Sequence, residues 1–170
     1  MRYFILSIFI SLSLLSYSQD HQERKIVSKD SLYNANIKKS KLYGVYIPRD
    51  IDDALNKLME LTDEDARKKL TKITEEEAAK KLHFGIGRWM SYNWNFDEGS
   101  RFSHHLREKG LYYTEDMMRY MIILFHRKIS QKPLNDVELM KQLIERRNKI
   151  IEEERKKREI IISEEVIRKQ

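Results

Sequence analysis

The chain has 170 residues, no cysteine, and 33 Lys and Arg against 27 Asp and Glu, for a formal charge of +6. No disulfide and no lipid-modified cysteine are open to it, so its stability must come from a packed core. Residues 19–49 hold seven Lys or Arg against three Asp or Glu, a net +4, and residues 50–170 hold 25 against 24, a net +1; this is not the basic, aromatic-studded folded face of a nucleic-acid binder, and no nucleic-acid partner is expected.

The N-terminus reads as an export signal. Arg2 supplies a positive start, Tyr3 to Leu15 an apolar run, and Ser16 and Ser18 the small residues at −3 and −1 of a cut. Cleavage is expected between Ser18 and Gln19. The apolar run has thirteen residues, whereas a bilayer-spanning helix takes about 20, so no stable membrane span is expected after the cut. About 150 residues then remain, enough for one domain.

Residues 19–47 are polar and basic without a sustained period and read as a flexible arm or linker, although Tyr43, Val45 and Ile47 alternate and suggest a short extended clip. From Pro48 the signals turn helical, and residues 48–151 form the expected domain. Ile51, Ala54, Leu55 and Leu58 share one face of a helix over about 50–61, with Asp50, Asp52 and Asp53 at its start. Thr62 reads as the N-cap of a short helix ending near Leu70, and Thr74 with Glu77 as a capping box. The helix begun there runs into HFGIGRWMSYNW, residues 83–94, with Ala78, Leu82, Ile86, Trp89 and Asn93 on one stripe.

Ser100 is the expected N-cap of a further helix closed by Gly110, and Thr114 that of the next, whose Met117, Met121, Leu124 and Phe125 make it the central core helix. After Pro133, a last helix carries Val137, Met140, Leu143, Ile144 and Ile151; residues 152–170 open with eight consecutive charged residues, a solvated helical extension or tail. The fold class expected is all-α, a single compact domain of five or six helices with a long charged C-terminal helix.

The chemistry-bearing patterns fail on geometry. Gly85-Ile86-Gly87 follows a capped helix rather than a strand, and Met90 stands where a dinucleotide loop needs a third glycine; no cofactor is expected. His104 and His105 point about 100° apart on a helix, so no metal site is expected from them. Ser100, His104 and Asp97 are better read as a cap and its neighbours than as a triad, and Asp97 beside Glu98 does not set two carboxylates across a bond. No catalytic residue is assigned.

Two glycines in a helix interior cost about 1 kcal/mol each relative to alanine. Either a neighbouring helix crosses closely there, or the backbone is bared to a ligand. The segments HFGIGRW at 83–89, Asn93-Trp94 and Gly99-Ser100-Arg101-Phe102-Ser103 resemble an uncharacterised bacterial family, a domain of unknown function with a pattern close to HFGxGxW, NNW and GSRLS, over about residues 46–145. Tyr92 stands in place of the first Asn of its pair and Phe102 in place of Leu. The resemblance implies one helical domain and brings no activity.

The functional expectation is an exported helical binding or structural domain of the bacterial cell envelope, periplasmic or secreted. The alternative is an envelope hydrolase or an accessory subunit of one. The candidate surface is Arg88, Asn93, Trp94, Asp97, Arg101 and His104. A guanidinium beside an aromatic ring suits an envelope protein or a carboxylated peptide or glycan. The structural alternative is that Arg101 and Asp97 pair to close the turn.

Overall fold

A computed structural model describes residues 29–168, with side-chain surroundings to residue 162. The expected signal segment 1–18, its cut after Ser18 and the first part of the expected arm lie outside the described residues. The chain divides into two compact units, residues 1–32 and 33–170; the first contributes residues 29–32 to the description. The second is a mostly helical single domain with one small two-stranded sheet. In chain order come α1 (Lys29–Asn36), β1 (Lys41–Leu42), β2 (Val45–Tyr46), α2 (Ile51–Leu61), α3 (Glu64–Leu70), α4 (Glu75–Leu82), a π-helical turn (His83–Gly87), α5 (Arg88–Asn93), α6 (Arg101–Glu108), α7 (Thr114–Ile129) and α8 (Asp136–Arg168).

Within the expected arm, the described residues form α1 and the hairpin. Leu42 and Ile47 are buried in the core, and the antiparallel hairpin β1–β2 pairs Lys41 with Tyr46 and Leu42 with Val45. Its two turn residues, Tyr43 at φ +50° and Gly44 at φ +83°, both lie in the left-handed region, as a type I′ turn requires. The hairpin is the short extended clip that the alternation of Tyr43, Val45 and Ile47 suggests.

The helices start where their capping chemistry places them. Asp50 accepts from the Asp53 N–H at 2.9 Å, and Thr74 and Glu77 complete the expected capping box. Two expected caps are corrected. Asp63 rather than Thr62 caps α3, accepting from the Ala66 N–H at 2.7 Å, while the Thr62 hydroxyl donates back to the Leu58 carbonyl. Tyr113 rather than Thr114 occupies the N-cap of α7, since the Thr114 hydroxyl is spent on Asp97. At the end of α6, Gly110 at φ +105° and the Leu111 N–H to Leu106 carbonyl bond form the expected glycine stop.

Helix α7 is the central helix, as its composition predicts. It packs against α2, α4, the π turn, α5 and α8, and every residue from Tyr120 to His126 is buried. The His126 Nε2 lies 3.1 Å and 2.9 Å from the Leu70 and Ile73 carbonyl oxygens. Both partners are acceptors, so Nε2 carries the proton and ties α7 to the α3–α4 connection. Arg127 clamps the other side, donating to Glu75 at 2.9 Å and to the Leu134 carbonyl at 2.6 Å.

Helix α8 continues the charged extension: residues 153–162 are exposed. Its docked face is Leu139, Met140 and Leu143, whereas Val137, expected on that stripe, is exposed. No helix among the described residues is long and apolar enough to cross a membrane.

Candidate functional site

Residues 75–93 form one continuous helical rod with the π turn in its middle, where the Arg88 N–H reaches back to the His83 carbonyl. A π turn holds one residue more than an α turn, so everything after it is rotated by about 100° relative to an unbroken α-helix. Extrapolation from Ala78 and Leu82 puts Ile86, Trp89 and Asn93 inside; the inserted residue moves that role to Gly87, Met90 and Trp94, which are buried. Ile86, Trp89 and Asn93 are only partly buried. Phe84, Arg88 and Tyr92 lie on the exposed side of the rod.

The two glycines of the turn differ. A Cβ on Gly87 would lie 3.3 Å from Ile122 Cδ1 and 3.6 Å from Met118 Sδ, so this glycine admits α7. A Cβ on Gly85 would meet nothing within 4 Å. The close-approach reading therefore holds for Gly87, and Gly85 has its backbone bared.

Trp94, expected at a recognition surface, is instead fully buried. It stands edge-on to Trp89 and Phe102 at centroid distances of 5.7 Å and 5.5 Å, an aromatic core that also includes Phe96. Arg101 is likewise structural: its guanidinium donates to the Ile47 carbonyl at 2.8 Å and 2.6 Å and lies over the Tyr46 ring. Asp97 accepts from Thr114, so Arg101 and Asp97 hold separate partners rather than closing the turn as a pair. His104 Nδ1 shares a hydrogen bond with the Tyr33 hydroxyl at 2.9 Å. Asn93 donates its amide to the Trp89 carbonyl at 2.9 Å. Ser100 is fully buried and its hydroxyl caps α6, as its place before the helix predicts.

GSRFS is thus a fold motif. Gly99, at φ +101°, would place a Cβ 2.1 Å from the Tyr33 ring, so Tyr33 lies directly on it. The guanidinium of Arg107 covers the same ring at 5.5 Å and bonds the Phe96 carbonyl at 2.7 Å.

Arg88 remains. It is exposed and makes no ion pair among the described residues. It lines a cavity of about 490 Å3 together with Phe84, Tyr92, Asp97 and Glu115. Phe84 is 75% exposed and Tyr92 86%. The carboxylates there have other partners, Asp97 the Thr114 hydroxyl and Glu115 the His83 ring at 3.4 Å. Two further cavities adjoin this one. One of about 400 Å3 shares His83, Phe84 and Glu115 and reaches Arg146 and Arg147 of α8; Arg147 is committed there to a two-pronged bond with Asp116 at 2.7 Å and 2.8 Å, and that carboxylate holds its pKa above the usual arginine value. The other, of about 500 Å3, shares Ser91, Tyr92 and Asp97 and reaches the hairpin tip at Tyr43. Of the six expected surface residues, Arg88 and Asp97 line the central cavity and Asn93 and Asp97 the one beside the hairpin. Phe84, Tyr92 and Tyr43 were missed; an exposed aromatic next to a helical glycine is the signal that marks the first.

The fold is a small helical domain with a groove along one π-containing rod. Residues 47–129 match the family described as a domain of unknown function, DUF6794, and carry that domain, as the motif resemblance implied; α8 lies beyond the matched residues. No curated protein and no solved structure matches the chain.

Proposed function

We propose that the protein is an exported binding domain of the cell envelope, periplasmic or secreted, and that its recognition surface is the outward side of residues 83–92. The observation that carries this reading is Arg88, an exposed cation with no carboxylate partner among the described residues, set between Phe84 and Tyr92 over a groove. An unpaired guanidinium flanked by rings suits a carboxylated peptide or glycan, because it can hold a carboxylate with two parallel hydrogen bonds while the rings cover the ligand's apolar parts. Folding does not require those rings outside: exposing Phe84 and Tyr92 gives up apolar burial. The bared backbone at Gly85 supports the same reading. The apolar run before Ser18 supports export.

The test is retention of the full chain on immobilised cell-wall fragments and envelope extracts, with Arg88→Ala alongside and released fragments assayed for hydrolysis. The expected outcome is at least tenfold weaker retention of Arg88→Ala at an unchanged melting temperature, without fragment release. Equal retention of the two proteins overturns the assignment of the surface, and fragment release by the wild type points to a hydrolase instead.

A further inference from the structure

The cavity beside the hairpin differs in chemistry from the groove around Arg88. No Lys or Arg lines it; its polar residues include Asn93, Asn95 and Glu98, and two tyrosines border it. The amide nitrogens of Asn93 and Asn95 each give one hydrogen to a carbonyl, of Trp89 and Gly99. Their oxygens and the Asp97 and Glu98 carboxylates give the cavity more acceptors than donors, a balance that suits a ligand bearing hydroxyls. Tyr43 is the second observation. It is 80% exposed and occupies, at φ +50°, a turn position that favours Asn or Gly. The hairpin would close better with Asn or Gly there, so the turn itself does not account for the tyrosine.

We propose that this cavity is a saccharide subsite, in which Tyr43 and Tyr92 flank an uncharged sugar ring whose hydroxyls donate to Asn93, Asn95 and Glu98. Sugar hydroxyls both donate and accept, so they can pair with these acceptors and with the Ser91 and tyrosine hydroxyls that also line the cavity, and the C–H faces of a sugar ring suit exposed aromatic rings. Because Tyr92 and Asp97 also line the groove of Arg88, one oligosaccharide can cross both, with a neutral ring beside Tyr43 and a carboxylate at Arg88. This deepens the proposed function and rests on it only for the carboxylate end.

The experiment is calorimetric titration of the full chain with three probes: tetra-N-acetylglucosamine, a hyaluronan tetrasaccharide and tetraglutamate. Tyr43→Asn, Tyr92→Ala and Arg88→Ala are titrated in parallel. Both saccharides should bind the wild type. Tyr43→Asn should weaken both at least tenfold while melting no lower than the wild type, since asparagine suits the turn, and Tyr92→Ala should weaken both as well. Arg88→Ala should weaken the hyaluronan fragment alone. Failure of both saccharides to bind, or unchanged saccharide affinity in Tyr43→Asn, overturns the subsite. Tetraglutamate binding that depends on Arg88 without saccharide binding overturns it too, and leaves the recognition surface standing. Saccharide binding that depends on Tyr43 but not on Arg88 upholds the subsite and removes the carboxylate end.

Discussion

The indole of Trp94 stands edge-on to that of Trp89, ring centroids 5.7 Å apart, and of the two only Trp94 is fully buried. Truncating a fully buried aromatic removes its contacts and leaves a cavity, at a cost of about 3 to 5 kcal/mol. Trp94→Ala should therefore be the more damaging variant and Trp89→Ala the milder one. Urea denaturation of both variants checks the order, and a larger loss for Trp89→Ala would show that the π turn does not rotate the rod.

The glycines of the turn should respond with opposite signs. Gly85→Ala adds a methyl that meets nothing and gains helix propensity, so it should stabilise by up to about 1 kcal/mol. Gly87→Ala drives a methyl against Ile122, itself fully buried; overpacking costs about 1 to 3 kcal/mol, which outweighs the propensity gain. Thermal melts of the two variants read the signs directly.

Most of the fold was legible because its signals are local. The Thr74–Glu77 box, the acidic start at Asp50, the Ser100 cap, the Gly110 stop and the apolar Met117–Phe125 run each need only a few neighbouring residues to be recognised. The π turn was not legible: from spacing alone HFGIG continues an α-helix, and the extra residue is set by the packing of Gly87 on α7. That single insertion moved Trp94 from the expected surface into the core. The seating of Tyr33 was not legible either, since it is held by Gly99, His104 and Arg107, more than 60 positions away.

Gly99→Ala should be among the most destabilising single changes, because it meets both the Tyr33 ring and a backbone at φ +101°. The two penalties separate in a double variant. Tyr33→Ala with Gly99→Ala relieves the collision but keeps the strained backbone, which costs about 1 to 2 kcal/mol. Relative to Tyr33→Ala alone, the glycine change should then cost only that much, less than it costs in the wild type. Denaturant midpoints of the four proteins in this cycle provide the check.

Stability should fall with acid, with a defined contribution from Glu75. The Arg127 hydrogen bonds and charge hold its carboxyl below the ordinary value of 4.5. A depressed folded-state pKa contributes stability above the unfolded value that is lost as pH falls through the folded one. Glu75→Gln should thus melt below the wild type at neutral pH, and the gap should close at pH values below about 4. His105 adds in the same direction from higher pH, since burial holds its imidazole below the ordinary 6.5. A gap between wild type and Glu75→Gln that stays constant down to pH 3 would remove the Arg127 clamp from the account.

The claim that one rod packs on its inner side and recognises on its outer side is tested most directly by backbone-amide chemical-shift mapping of the full chain, titrated with the hyaluronan tetrasaccharide. The account predicts perturbations concentrated at Phe84, Arg88, Tyr92, Asp97 and Glu115, the groove residues, with the exposed part of α8 beyond residue 152 unmoved. Shifts confined to that extension or to the lysines at 38, 39 and 41, with Arg88 and its neighbours silent, would contradict it.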